Sequence, residues 1–115
     1  MIRRHNEQTV TVNEKMRGGE GKAIMETIIT PEEMYSKGRL FSKVVLAPGC
    51  GIGWHMHENE METYYIVKGT AEFDDDGEKT LLSPGDAAYT ASGHSHAIAN
   101  RGGEDVELLA LILFK

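Results

Sequence analysis

Four of the five histidines in this chain fall in two short clusters, His55-Met56-His57 and His94-Ser95-His96, and Glu62 lies five residues beyond the first. Imidazoles and a carboxylate at such spacing are the groups that grip a first-row divalent ion. Side chains of a β-strand alternate between faces, so His55 and His57 point the same way and stand close enough to share one ion. Glu62 offers a hard oxygen donor from a following strand, and a histidine of the second cluster completes three imidazoles and one carboxylate. Such a set leaves coordination positions open for a substrate or water.

The elements that must carry these donors are β-strands. Short runs rich in β-branched and aromatic residues recur at close spacing: Thr9–Val12, Ala23–Ile29, Leu40–Leu46, Thr63–Val67, Thr70–Phe73, Thr80–Leu82, Asp86–Thr90 and Val106–Phe114. Turn residues separate them. Asp74-Asp75-Asp76-Gly77 reads as a hairpin turn with a solvated acidic tip, and Pro48-Gly49, Pro84-Gly85 and Gly102-Gly103 mark further breaks. One helical turn is expected at Pro31–Tyr35, with Thr30 as its cap. Arg17 to Lys22, with three glycines and three charges, reads as a mobile loop. Many short strands joined by glycine-rich turns imply a sandwich or barrel, whose closure limits exposed strand edges.

Composition excludes several classes. With 115 residues, 40% hydrophobic and 26% charged, the chain is expected to fold as one soluble domain spanning 1–115. A net charge of −6 argues against a nucleic-acid partner. The longest apolar run, Val106–Phe114, is interrupted by Glu107 and too short to span a membrane. The opening residues carry no apolar signal stretch, so a cytoplasmic location is expected. Cys50 is the one cysteine, which excludes an internal disulfide, and it reads as a small packing side chain rather than a reactive group.

Set out with its glycines, the first cluster runs Gly49, five residues, His55, one, His57, four, Glu62, six, Gly69; the second runs Gly85, five, Ala91, one, Gly93, two, His96, three, Asn100. The first pattern resembles motif 1 of the cupin superfamily at every defining position, across 49–69. The second resembles motif 2, across 85–100, with alanine at 91 where the family pattern has proline. That departure loosens a turn without removing a ligand. The resemblance implies an all-β fold, an antiparallel jelly-roll barrel, with His55, His57, Glu62 and His96 as metal ligands. It further implies one divalent transition metal per chain (iron, manganese, nickel or zinc), a small-molecule ligand in the barrel and a homodimer.

Strand alternation then places the neighbours. If Glu62 points inward, so do Tyr64 and Ile66, while Tyr65 and Val67 face outward; Ile98 and Asn100 go inward with His96. Trp54 and Met56 fall on the face opposite the first ligands, where packing explains them. Tyr64 is a candidate catalytic hydroxyl, or else an ordinary core aromatic. His94, after the Ser92-Gly93 turn, is a candidate for moving protons at the pocket mouth, or else a solvent-exposed loop histidine. The expected activity is that of a metal-dependent enzyme of dioxygenase, decarboxylase or isomerase type. The alternatives are a non-catalytic module that binds a sugar or small acid through its metal, and a structural jelly roll with no ion.

Overall fold

A computed structural model describes residues 1–115. The chain forms ten strands: β1 (Val10–Glu14), β2 (Lys22–Ile29), β3 (Gly38–Leu46), β4 (Gly51–Met56), β5 (Glu60–Lys68), β6 (Ala71–Asp75), β7 (Glu78–Leu82), β8 (Ala87–Thr90), β9 (Ser95–Ala99) and β10 (Val106–Phe114). They make two antiparallel sheets, a six-stranded one ordered β1-β2-β3-β10-β5-β8 and a four-stranded one ordered β4-β9-β6-β7. From β3 onward chain neighbours sit in opposite sheets except at the β6–β7 hairpin, the jelly-roll arrangement expected from the sequence. No helix is long and apolar enough to cross a membrane.

Period-two alternation decides what lies between the sheets. Val44 and Leu46 of β3, Tyr64 and Ile66 of β5, and Leu108 and Ala110 of β10 point inward and are buried, meeting Ile52, Phe73 and Ile98 from the other sheet. Asn100 is also buried; its amide nitrogen donates to the Leu46 and Glu104 carbonyls, and its Oδ1 accepts from the Gly102 amide. The core thus ends in a polar clamp whose every atom is paired.

Turn chemistry follows the sequence at the β6–β7 hairpin. Asp75 pairs with Glu78, leaving Asp76 and Gly77 as a two-residue turn with φ of +53° and +103°. Both values are left-handed, the twist that joins antiparallel strands.

Three expectations need correction. The runs of β-branched and aromatic residues leave out β4 and β9, because Gly-Ile-Gly-Trp-His-Met and Ser-His-Ala-Ile-Ala are poor in such residues, yet both are strands, as the spacing of the two histidine clusters requires. At Pro31 the expected cap forms, with the Glu33 amide donating to Thr30 Oγ1 at 3.2 Å and the Thr30 amide to Glu33 Oε1 at 2.8 Å. The segment then stops as a turn, because Tyr35 and Ser36 take positive φ; the two 3-10 turns lie instead at His5–Glu7 and Met16–Gly18. Arg17 to Lys22 is a seated segment rather than a loose loop: Gly51 donates to the Glu20 carbonyl at 2.9 Å, and a Cβ on Gly19 or Gly53 would strike the facing backbone. The glycines there permit close approach instead of conferring mobility.

Candidate metal centre

The donors come from three elements. His55 lies on β4, opposite His96 on β9, and the register between these strands shifts between Ile52 and His55. The extra residue forms a bulge at Gly53-Trp54, so Ile52 and His55 both face inward although they are three apart. Trp54 and Met56 are about half exposed on the outer side rather than packed. His57 follows the end of β4, but its backbone stays tied to the next motif: its amide donates to the His94 carbonyl and its carbonyl accepts from the Gly93 amide. Glu62 reaches in from β5, between β10 and β8.

These placements bring the Nε2 atoms of His55, His57 and His96 together with a Glu62 carboxylate oxygen, all within 4.8 Å of one another. His96 Nε2 lies 3.1 Å from the Nε2 of both His55 and His57, and Glu62 Oε1 lies 3.0 Å from the Nε2 of His57 and of His96. The other side of each ring is committed. Nδ1 of His55 is 2.6 Å from the Gly53 carbonyl, Nδ1 of His57 is 2.6 Å from Glu60 Oε2, and Nδ1 of His96 is 2.8 Å from Thr90 Oγ1. The Gly53 carbonyl and the Glu60 carboxylate only accept, so they hold a proton on Nδ1 of His55 and His57, and the Thr90 hydroxyl can accept one from His96; with the protons there, three Nε2 lone pairs and a carboxylate converge on one point. Lone pairs facing each other at 3.1 Å repel, and a cation among them turns repulsion into coordination. Outer partners that fix the tautomer of a metal-ligating histidine have this pattern. The donor set therefore fits a metal ion.

Glu60 and Arg39 extend the arrangement outward. Arg39 donates through Nε and Nη2 to the two oxygens of Glu60, both at 2.7 Å. That guanidinium holds the Glu60 carboxyl at about 2, against the opposing effect of burial. Burial alone would push Glu62 up, but without an ion, protonated Nε2 atoms of His57 and His96 donate to it, outweigh burial and bring it to about 2; an ion takes the place of those protons. The two histidines of β4 part company: burial lowers His55, whereas the hydrogen bond to Glu62 raises His57.

Sequence reasoning did not name Glu60, Arg39 or Thr90. Glu60 shares strand parity with Glu62, a usable signal. Arg39 and Thr90 reach the site only through the pairing of β3 and β8 with distant strands, which no local pattern announces.

Tyr64 is buried with its ring stacked on His96, centroids 5.1 Å apart and planes 15° from parallel. Burial and the charge of Glu62 push its hydroxyl well up, so it stays protonated. His94 lies apart from the four donors. It is exposed, and its Nδ1 is 2.9 Å from Asp76 Oδ2 in the hairpin turn, where the Ser95 amide donates to the other oxygen. The acidic turn thus anchors the second cluster as well as being solvated.

Three of the donors, His55, His57 and Glu62, open on an interior cavity of about 160 Å³ that Tyr64, Arg17 and Arg39 also line; most of the remaining wall is apolar. A larger depression, about 230 Å³, lies on the outer face of β4, β9 and β6. None of the four donors lines it, and Cys50 belongs to it rather than to the cavity.

This geometry has counterparts among known proteins. A family model described as a cupin domain matches residues 42–112, which contain all four donors. The chain belongs to the cupin family. It is 42% identical over 113 residues to a Thermotoga maritima protein named oxalate-binding protein, covering 98% of this chain and 93% of that one. A crystal structure from the same organism, described as a predicted oxalate decarboxylase, superposes with a TM-score of 0.96 at 41% identity and 100% coverage of both chains. KdgF from a Halomonas species has a TM-score of 0.76 at 18% identity, over 100% of this cupin and 96% of that chain, a likeness of fold alone.

Proposed function

We propose that this cupin binds one divalent transition metal through His55, His57, Glu62 and His96 and uses it to hold a small organic acid in the interior cavity. The observation that carries this reading is the commitment of all three Nδ1 atoms to Gly53, Glu60 and Thr90 while the three Nε2 atoms converge on Glu62. When bound, such an ion supplies Lewis acidity and open positions for carboxylate oxygens. The chain's own residues do the rest. Glu62 offsets one positive charge, Glu60 and Arg39 fix His57, and the apolar wall keeps water from competing for the acid. The relative named oxalate-binding protein supports a short dicarboxylate as the ligand class.

Binding is favoured over turnover because, apart from the donors and the two arginines, the titratable group lining the cavity is Tyr64, a poor acid when its ionisation is pushed up. Decarboxylation is the second reading, favoured by the neighbour described as a predicted oxalate decarboxylase. Elemental analysis of protein purified without chelator or histidine tag, beside His57→Ala, tests the site. About one iron, manganese, nickel or zinc per chain, lost in the variant, supports it, and no metal after reconstitution overturns it. Adding oxalate and assaying formate and carbon dioxide then separates the readings.

We further propose that a second copy of the chain covers the outer face of the six-stranded sheet. Outward-pointing Phe41, Val45, Leu109, Leu111 and Tyr65 form an apolar surface there, each alternating with a buried neighbour. Lys43, in the same face, lies between Glu107 at 2.8 Å and Glu26 at 3.3 Å, and Lys68 is 3.9 Å from Glu107. A homodimer buries this face without isolating a charge.

A further inference from the structure

Two guanidinium-bearing residues line an otherwise mostly apolar cavity, and they are not equivalent. Arg39 is committed to Glu60 through Nε and Nη2. Arg17, exposed at the edge of the same cavity, enters none of the molecule's ion pairs. Its position is built at some conformational cost. Lys15 and Arg17 adopt φ of +49° and +53°, left-handed values that side chains other than glycine, asparagine and aspartate rarely take, on either side of Met16, which packs on the core. The turn is seated on β4 because Gly19 and Gly53 have no Cβ; one on Gly53 would meet the Arg17 carbonyl. Gly53 also supplies the carbonyl that fixes His55, so the strand that aims a donor also locates Arg17.

We propose that the cavity selects a small organic dianion, with Arg17 as the residue that receives the second negative charge. This rests on the metal-held acid reading above and adds a specificity element to it. The charge balance points the same way. Arg39 and Glu60 cancel, and imidazoles that coordinate an ion through Nε2 carry no charge, so a divalent ion, the Glu62 carboxylate and the Arg17 guanidinium leave two positive charges. A dianion neutralises them, and a monoanion of similar size leaves the Arg17 guanidinium at the cavity's exposed edge without an anionic partner. A guanidinium also presents paired N–H donors that match a carboxylate.

Calorimetric titration of the manganese-loaded protein with oxalate and with glyoxylate, a monoanion of similar size, tests this. The variant is Arg17→Asn, since asparagine tolerates the left-handed backbone; Arg17→Lys keeps the charge. The expected result is that Arg17→Asn retains its manganese and its glyoxylate affinity but binds oxalate at least tenfold more weakly, with Arg17→Lys between it and the wild type. In the wild type, added salt weakens oxalate more than glyoxylate, a readout independent of any variant. Unchanged oxalate affinity in Arg17→Asn, or an equal loss for both ligands, overturns the assignment and leaves the small-acid reading standing. Wild-type protein that holds manganese yet binds neither ligand overturns both.

Discussion

Glu60 separates holding a ligand from being one. It does not join the four donors, yet it accepts from His57 Nδ1 at 2.6 Å and is itself gripped by Arg39. Replacing it with glutamine keeps the volume and removes the charge that fixes the His57 tautomer. Metal affinity in Glu60→Gln is expected to fall roughly 10- to 100-fold, the usual effect of losing such a partner, as measured by competition against a chromophoric chelator. An unchanged affinity would show that the ring is oriented by packing alone. The same carboxyl predicts a pH dependence. Its folded value of about 2 lies below the ordinary 4.5, so it stabilises the fold fully above pH 4.5, and the contribution is lost as pH falls through 4.5 towards 2. Urea denaturation of metal-free protein across that interval should show stability declining with acid, with a shallower slope in Glu60→Gln.

At the scale of elements, the site depends on a bulge and a seated turn more than on regular strand. Gly53 lies in the β4 bulge, offers its carbonyl to His55, and leaves room for the backbone of Arg17 and Gly19. Gly53→Ala forces backbone against backbone, where no side chain can yield. It is expected to cost about 1–3 kcal/mol, as overpacking does, read as a lower urea midpoint with unchanged slope. Gly77→Ala, at φ +103° with open space around it, meets strain but no clash and is expected to lose only about 1 kcal/mol. The contrast would fail if the two variants lost the same amount. Much of this level was legible beforehand. The His-x-His spacing, the Asp-Gly turn and the inward parity of Tyr64, Ile66, Ile98 and Asn100 are local patterns, and the structure follows them. Arg39 reaching Glu60 and Thr90 reaching His96 are consequences of strand order, and the sequence displays no order of strands. The Arg17–Lys22 segment misled because glycine signals both mobility and close packing, and only the presence of β4 beneath it decides which.

For the molecule as a whole, the two sheets divide the labour. The four-stranded sheet contributes His55 and His96 and the six-stranded sheet Glu62, so the donors span the barrel and an ion held among them would tie its two walls together. A metal that binds only the folded chain stabilises it by about 4 kcal/mol at a free concentration 1,000 times its dissociation constant, so chelation should lower the melting temperature by about 15 °C. The six-stranded sheet has a second apolar face besides its core. Its outward side chains Leu109 and Leu111 lie on β10, central in the sheet between β3 and β5, where a partner's matching face would cover them best. Leu111→Glu puts a carboxylate in that contact near Lys43, whose one ammonium already meets two carboxylates, so its burial would leave a charge without a partner. Sedimentation at micromolar concentration should then give a dimer for the wild type and a monomer for Leu111→Glu, with metal content unchanged because the substituted side chain faces away from the cavity. A wild-type monomer at that concentration would remove the dimer, while a variant that stays dimeric would move the interface to another face.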